Sequence, residues 1–247
     1  MIDVALSPAD LRPAQLAVVI DVLRATSTAT QALASGYRRV VVAESIEGAL
    51  ELRRPGRVLA GERQGMKPPG FDQGNSPAEA TELRGEEFVL ATTNGGPAIV
   101  AAARAAPRVI LACLLNLEAS IATLRHHEGE DILIGCSGTD GAVALEDVYV
   151  AGRLSAALPG DRTDAARVAE AVARAFGTPL EALFASTDAA RLRAIGLVDD
   201  IADCAAESAV DVVPTVTATT AEGVATVRAA EAGDPIAVVD RGDTVGV

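Results

Sequence analysis

Apolar and polar positions alternate in blocks along the first two thirds of the chain. Unbroken Val/Ile/Leu runs recur at LAVVID (16–21), RRVVVA (38–43), RVLAG (57–61), EEFVLAT (86–92), PRVILAC (107–113) and EDILIGC (130–136). Runs of this length without polar interruption predict strands buried on both faces. Between them lie segments of helical period: TSTATQALASG (26–36), closed by Gly36, SIEGALELRR (45–54), capped at Ser45, GGPAIVAAARA (95–105) and LEASIATLRHH (117–127). The β-α-β-α order predicts an α/β protein with three layers, helices covering both faces of a largely parallel or mixed sheet; two α/β subdomains are a second option.

From residue 142 to 195 the pattern turns mostly helical, with AVALEDVYVAGRLSAAL (142–158), DAARVAEAVARAFG (164–177) and TPLEALFAS (178–186). The last begins with Thr178, Pro179 and Glu181, a capping box. DVVP (211–214) predicts a last short strand, and residues 215–247, rich in Thr, Ala and Gly, are expected as a weakly structured extension to a domain spanning 1–214.

Of the 247 residues, 49% are apolar but only 2% aromatic, so the core must be built from Ala, Val, Leu and Ile. The net charge of -13 argues against nucleic acid as a partner. It also sets a condition: an anionic substrate would need local positive charge or a metal ion. Three isolated cysteines, with no CxxC spacing, do not suggest a disulfide framework and fit a reducing cytoplasm. No signal peptide and no membrane-length apolar run are evident, so a cytoplasmic location without membrane contact is expected; self-association is left open.

In an open α/β sheet, ligands bind beyond the carboxyl ends of the strands. Four polar segments follow such ends: DVLRATST from Asp21, GERQGMKPPGFDQGNSPAE (61–79), TTNGGPA (92–98) and CSGTDGAVALED (136–147). The turns at the opposite edge, SGYR and RPGR, carry only turn residues. Asp21 and Arg24, with Thr26 and Ser27 opening a helix, make a candidate phosphate site at a helix N-terminus; the plain alternative is Ser27 as an N-cap. The glycine- and proline-rich loop would hold Glu62, Arg63, Lys67, Asp72 and Asn75, with Ser76 to Glu79 as a capping box. Asn94 is a candidate helix cap, and Gly95 and Gly96 would let the backbone approach a ligand. Glu146 and Asp147 fall in the first turns of a helix; gathered near Asp21 and Glu62, such carboxylates suit Mg²⁺.

Several chemistries are excluded. His126 and His127 lie near the end of a helix, away from the polar edge, which leaves a Ser-His-Asp triad without its base. No arginine follows Cys136 closely enough for a cysteine phosphatase loop, and there is no GxxxxGK[ST] or GxGxxG. Leu23 stands where a haloacid-type aspartyl phosphatase would carry its second acid.

Taken together and in order, DVLRATST, GERQGMKPPGFDQGNSP, TTNGGPA, GAVALEDVYVAG and IGLVDDIADCA followed by DVVP resemble the 2-phosphosulfolactate phosphatase family over about residues 17–214. Gly96 departs from the family's usual threonine, and the extension has no counterpart. The resemblance implies an α/β/α fold and Mg²⁺-dependent hydrolysis of 2-phospho-3-sulfolactate to 3-sulfolactate and phosphate, a step of coenzyme M biosynthesis. The expected machinery is then Mg²⁺ on some of Asp21, Glu62 and Asp147, with Arg24 and the Thr26/Ser27 helix end on phosphate. Arg63 and Lys67 would take the carboxylate and sulfonate, and Asn94 with the Gly95 backbone would complete the cradle. Asp21 is the expected nucleophile if a carboxylate rather than a metal-activated water attacks. A phosphatase of another small acidic phosphomonoester, or a non-catalytic sensor of such a metabolite, are the alternatives.

Overall fold

The computed structural model describes residues 1–82 and 84–242. All six apolar runs form strands: β2 (Leu16–Ile20), β3 (Arg39–Ala43), β4 (Arg57–Gly61), β5 (Glu87–Ala91), β6 (Val109–Ala112) and β7 (Ile132–Cys136). A strand at the start of the chain, β1 (Ile2–Ala5), precedes them. The helices fall where the period placed them: α1 (Ala25–Ala34), α2 (Ile46–Glu51), α3 (Gly95–Ala105), α4 (Leu117–Arg125), α5 (Leu145–Ala157), α6 (Asp164–Arg174) and α7 (Pro179–Phe184). Ser45 Oγ accepts from Gly48 N at 3.0 Å, and Thr178 with Glu181 forms its capping box. Two further helices follow, α8 (Thr187–Ala194) and α9 (Asp199–Cys204).

Two more strands are β8 (Val212–Thr219) and β9 (Val224–Glu231), and the nine strands among the described residues make one mixed sheet in the order β1-β7-β2-β6-β8-β9-β3-β5-β4. The strands β1, β7, β2 and β6 run parallel to one another, as do β3, β5 and β4. The β8–β9 hairpin stands between these blocks, antiparallel to both. It joins the first block at the pair Ile110↔Thr215 and is bulged between Val216 and Ala218, a device that adds local twist.

The stretch after Thr215 is therefore no loose extension up to the end of β9. Val216, Ala225 and Val227 are fully buried in the central core. The Thr- and Ala-rich composition hides an inward-facing set of small apolar side chains, which suits a half-buried hairpin. Residues 243–247 of the expected extension lie outside the described residues.

Helices α1 and α3 pack against strands of both blocks. One core, from Val19 on β2 to Leu90 on β5, closes around them. The other face of the first block is covered by α4 to α9 and that of the second by α2. Because both blocks share α1 and α3, the turns after β2, β4, β5 and β7 converge on one cleft.

The opposite edge is not bare. The registers set Arg39 of β3 and Arg57 of β4 on either side of Glu87 at the start of β5. Arg57 Nε lies 2.7 Å, and Arg39, Arg38 and Arg54 nitrogens 2.6, 3.0 and 3.3 Å, from this buried carboxylate. Burial alone would raise the Glu87 carboxyl, but the bonds from Arg57, Arg39 and Arg38 outweigh it and bring it down to about 2. A value lowered on folding gives stability that is present above the ordinary glutamate range and lost as pH falls towards 2. Glu87→Gln should therefore cost about 3 kcal/mol at neutral pH and flatten the loss between pH 5 and 2. Chemical denaturation across that range checks this; an unchanged acid limb would refute it.

Candidate functional site

The cleft contains a cavity of about 470 Å³ whose wall includes Asp21, Arg24, Glu62, Asn75, Asn94 and Asp188. That size suits a small metabolite. The turns after four strands contribute to it, as expected for the carboxyl ends of an α/β sheet.

Asp21 caps α1. Its Oδ1 accepts from Ala25 N at 2.9 Å and its carbonyl from Thr26 N at 3.0 Å. Its Oδ2 accepts no hydrogen bond from the described residues. Burial drives the Asp21 carboxyl up to about 7; the bond from Ala25 N opposes this, and the charges of Glu62 and Asp188 add to it. Gly95, at the start of α3, has no room for a side chain. A Cβ there would lie 2.5 Å from Asp21 Oδ2 and would also strike Ala25. The glycine is thus required for α3 to stand against Asp21 and α1.

Thr26 and Ser27 do not reach the cavity. Their hydroxyls donate to Asp21 O and Val22 O, both at 2.8 Å, and both side chains are fully buried. With Asp21 already filling the helix end, the phosphate cradle expected there is closed. Arg24 does line the wall. Its guanidinium is 3% exposed and ion-paired with Asp200 of α9, and Nη2 donates to Gly65 O at 3.1 Å. Asp200 in turn accepts from Ser76 Oγ at 2.6 Å. That hydroxyl is therefore not the cap of a capping box; the short 3₁₀ turn Glu79–Thr81 forms without it.

The glycine-rich loop makes a tight two-residue hairpin. Arg63 and Met66 exchange backbone bonds of 2.9 and 3.1 Å, with Gln64 and Gly65 both at positive φ. This is the turn geometry that follows strand twist, and it seats Gln64 and Gly65 on the cavity wall. Glu62 braces it: Oε2 accepts from Gly65 N at 2.8 Å and Oε1 from Thr93 N at 2.7 Å. Arg63 and Lys67 lie outside the wall and are exposed, because the hairpin turns them outwards. Arg63 pairs weakly with Glu47 at 4.0 Å, and Lys67 reaches Asp72 O at 3.4 Å. Asn75 is 3% exposed and lines the cavity, and its side-chain oxygen has no partner among the described residues.

Asn94 precedes α3 without capping it. Its Oδ1 instead accepts from Asp140 N at 3.2 Å. Gly96 is turned towards Ala43 O on β3, so the missing threonine hydroxyl does not alter the cavity. Asp147 is buried behind the wall, its oxygens taken by Val22 N (2.9 Å) and Gly138 N (3.1 Å). Burial raises its carboxyl well above the aspartate range, with Glu146 and Asp21 adding to this. Glu146 points elsewhere: burial and then Asp188 raise its carboxyl to about 8.

These placements decide what a cation could use. Among the described residues, no three His, Cys, Asp or Glu side chains stand close enough to hold a metal ion. Mg²⁺ commonly needs only one or two carboxylates, with water and substrate phosphate completing its shell. Asp21, through its free Oδ2, fits that requirement; Glu62 lines the wall beside it, each oxygen already accepting one backbone N–H, while Asp147 lies behind the wall and does not fit.

Sequence reasoning singled out none of Asp188, Arg191 and Asp200. Asp188 and Arg191 are spaced i,i+3 on α8, a spacing shared by ordinary ion pairs along a helix. Asp200 sits in a segment whose only signal was family likeness.

A family model described as 2-phosphosulpholactate phosphatase matches residues 3–219. Relatives bearing the name "Probable 2-phosphosulfolactate phosphatase" include one from Thermus thermophilus, 43% identical over 76% of this chain and 82% of its own length. Others come from Deinococcus radiodurans, 42% identical (81% and 87%), and Pseudothermotoga lettingae, 38% identical (87% and 95%).

Two substitutions separate positioning from binding. Asp200→Asn leaves Arg24 buried without its counter-charge and should cost about 3 kcal/mol or more. Asn75→Ala removes no side-chain bond to the protein and should change stability by less than about 1 kcal/mol, while lowering turnover at least about tenfold. Equal stability losses in urea unfolding would contradict this division.

Proposed function

Since the chain belongs to the 2-phosphosulfolactate phosphatase family, we propose that this cavity hydrolyses the phosphomonoester of 2-phospho-3-sulfolactate with Mg²⁺, releasing 3-sulfolactate and phosphate. The observation that carries the proposal is one cavity shared by a fixed, buried guanidinium and a carboxylate with one unengaged oxygen. Coenzyme M biosynthesis, in the cytoplasm, is the setting this reading carries with it.

Arg24 holds phosphoryl oxygens. It is already aligned by Asp200 and Gly65 O, so little ordering is left to complete on binding. Asn75 adds a neutral contact beside it. Asp21 Oδ2 and Glu62 would hold Mg²⁺, which when bound would polarise the phosphoryl group and offset developing charge. The bond broken is that between phosphorus and the ester oxygen; water supplies the replacing oxygen, directly or by hydrolysing a phosphorylated Asp21. The leaving alkoxide takes up a proton to become the hydroxyl of sulfolactate.

Phosphate release from 2-phosphosulfolactate and a panel of small phosphomonoesters, with Mg²⁺ and with chelator, tests the proposal. Release should require the metal, and Asp21→Asn should lower it at least about a hundredfold. Full Mg²⁺-dependent turnover in that variant would overturn the assignment. Borohydride trapping of a phosphorylated Asp21 would separate the two routes.

A further inference from the structure

Among the described residues, the cavity wall carries two positive side chains, Arg24 and Arg191. They stand against four carboxylates, Asp21, Glu62, Asp140 and Asp188. A substrate with a second acidic group beyond its phosphate would meet repulsion everywhere except at a cation. Arg24, deep in the wall, is occupied by the phosphoryl group in the reading above.

Arg191 is different. Its side chain is 55% exposed, and it is held by Asp140 at 3.0 Å and Asp188 at 3.4 Å. Asp140 is itself 64% exposed, and ion pairs in water contribute little, so exchanging it for a ligand oxygen costs little. The base of the side chain is nevertheless fixed. Leu192, next to it on α8, is buried in the core, and Ser186 Oγ caps the helix by accepting from Ala189 N at 3.1 Å. A planar guanidinium on a fixed stem suits bidentate capture of a carboxylate or sulfonate.

We propose that Arg191 reads the second acidic group of the substrate, so that the site selects small phosphomonoesters bearing a further carboxylate or sulfonate over esters of neutral alcohols. This rests on the phosphatase reading above. Asp140 is then the resting partner that the substrate displaces.

The test compares 2-phosphosulfolactate, 2-phospholactate and isopropyl phosphate in wild type, Arg191→Gln, Arg191→Lys and Asp140→Asn. Asparagine tolerates the positive φ of position 140, so the last variant keeps the loop. Arg191→Gln should reduce the preference in kcat/KM for the two acidic esters at least about tenfold, chiefly through KM, and Arg191→Lys should restore part of it. Asp140→Asn should lower KM for the acidic esters, and lose that effect when combined with Arg191→Gln. An equal change on all three esters, or one confined to kcat, would overturn the proposal. Calorimetric binding of 3-sulfolactate and of inorganic phosphate gives an answer without turnover. Arg191→Gln should weaken the first at least about tenfold more than the second. Equal weakening overturns the role of Arg191, whereas selective weakening in a protein that hydrolyses none of the esters would remove the phosphatase reading and leave that role standing.

Discussion

The cleft depends first on the Arg24–Asp200 ion pair, which fixes a guanidinium in a wall that also carries four carboxylates. The turns after two of the four strands, β2 and β4, meet helix α9 at this pair. Arg24 stands at the start of α1 and donates to the hairpin tip at Gly65; Asp200 reaches it from α9 and also takes the Ser76 hydroxyl. Pairing two charges out of water is not a cheap way to stabilise a fold, and well-packed apolar residues often do as well. What the pair adds is position. It locks the turn after β2, the loop after β4 and the carboxyl-terminal helices into one arrangement, and leaves a guanidinium facing the cavity. The C-terminal third of the chain is in this way part of the site.

The same constraint explains the small residues where the two blocks of the sheet meet. Strands that run in opposite senses along one sheet can bring their turns together only if the shared helices α1 and α3 approach closely. Gly95 allows that approach, since any side chain would strike Ala25 and the Asp21 carboxylate. Asp21 in turn replaces an ordinary serine or threonine cap on α1. By using one oxygen on Ala25 N it satisfies the helix end and keeps the other oxygen for the cavity. Capping and chemistry are thus carried by one side chain.

How much of this could be read from the residues depended on the range of the interaction. The six strands were legible because two-sided burial leaves a continuous run, and Ser45 and Thr178 because caps act within four residues. Of the hairpin β8–β9 only the start, at 211–214, was legible, since the Thr and Ala around its buried valines resemble linker composition. Arg63 and Lys67 drew notice by charge, but the positive φ at Gln64 and Gly65 turns the chain so that they leave the wall. Ser76 fits a local cap motif, yet a contact 124 residues away claims its hydroxyl. Arg191 and Asp188 needed the packing of α8 against the cleft, which no local pattern encodes.

The buried acids divide by what their oxygens already hold. Glu146 and Asp147 are neighbours on α5, but successive helical positions point about 100° apart. Asp147 reaches Val22 N and Gly138 N, tying the turn after β2 to the turn after β7. Glu146 faces Asp188 and Ser186 instead. Asp147 therefore acts on the cavity without entering it. It fixes the backbone that carries Asp21, and the two carboxyls, close enough to repel, resist ionising together. The Asp21 charge adds to the burial that raises the Asp147 carboxyl, while Glu62 and Asp188 act in the same sense on Asp21.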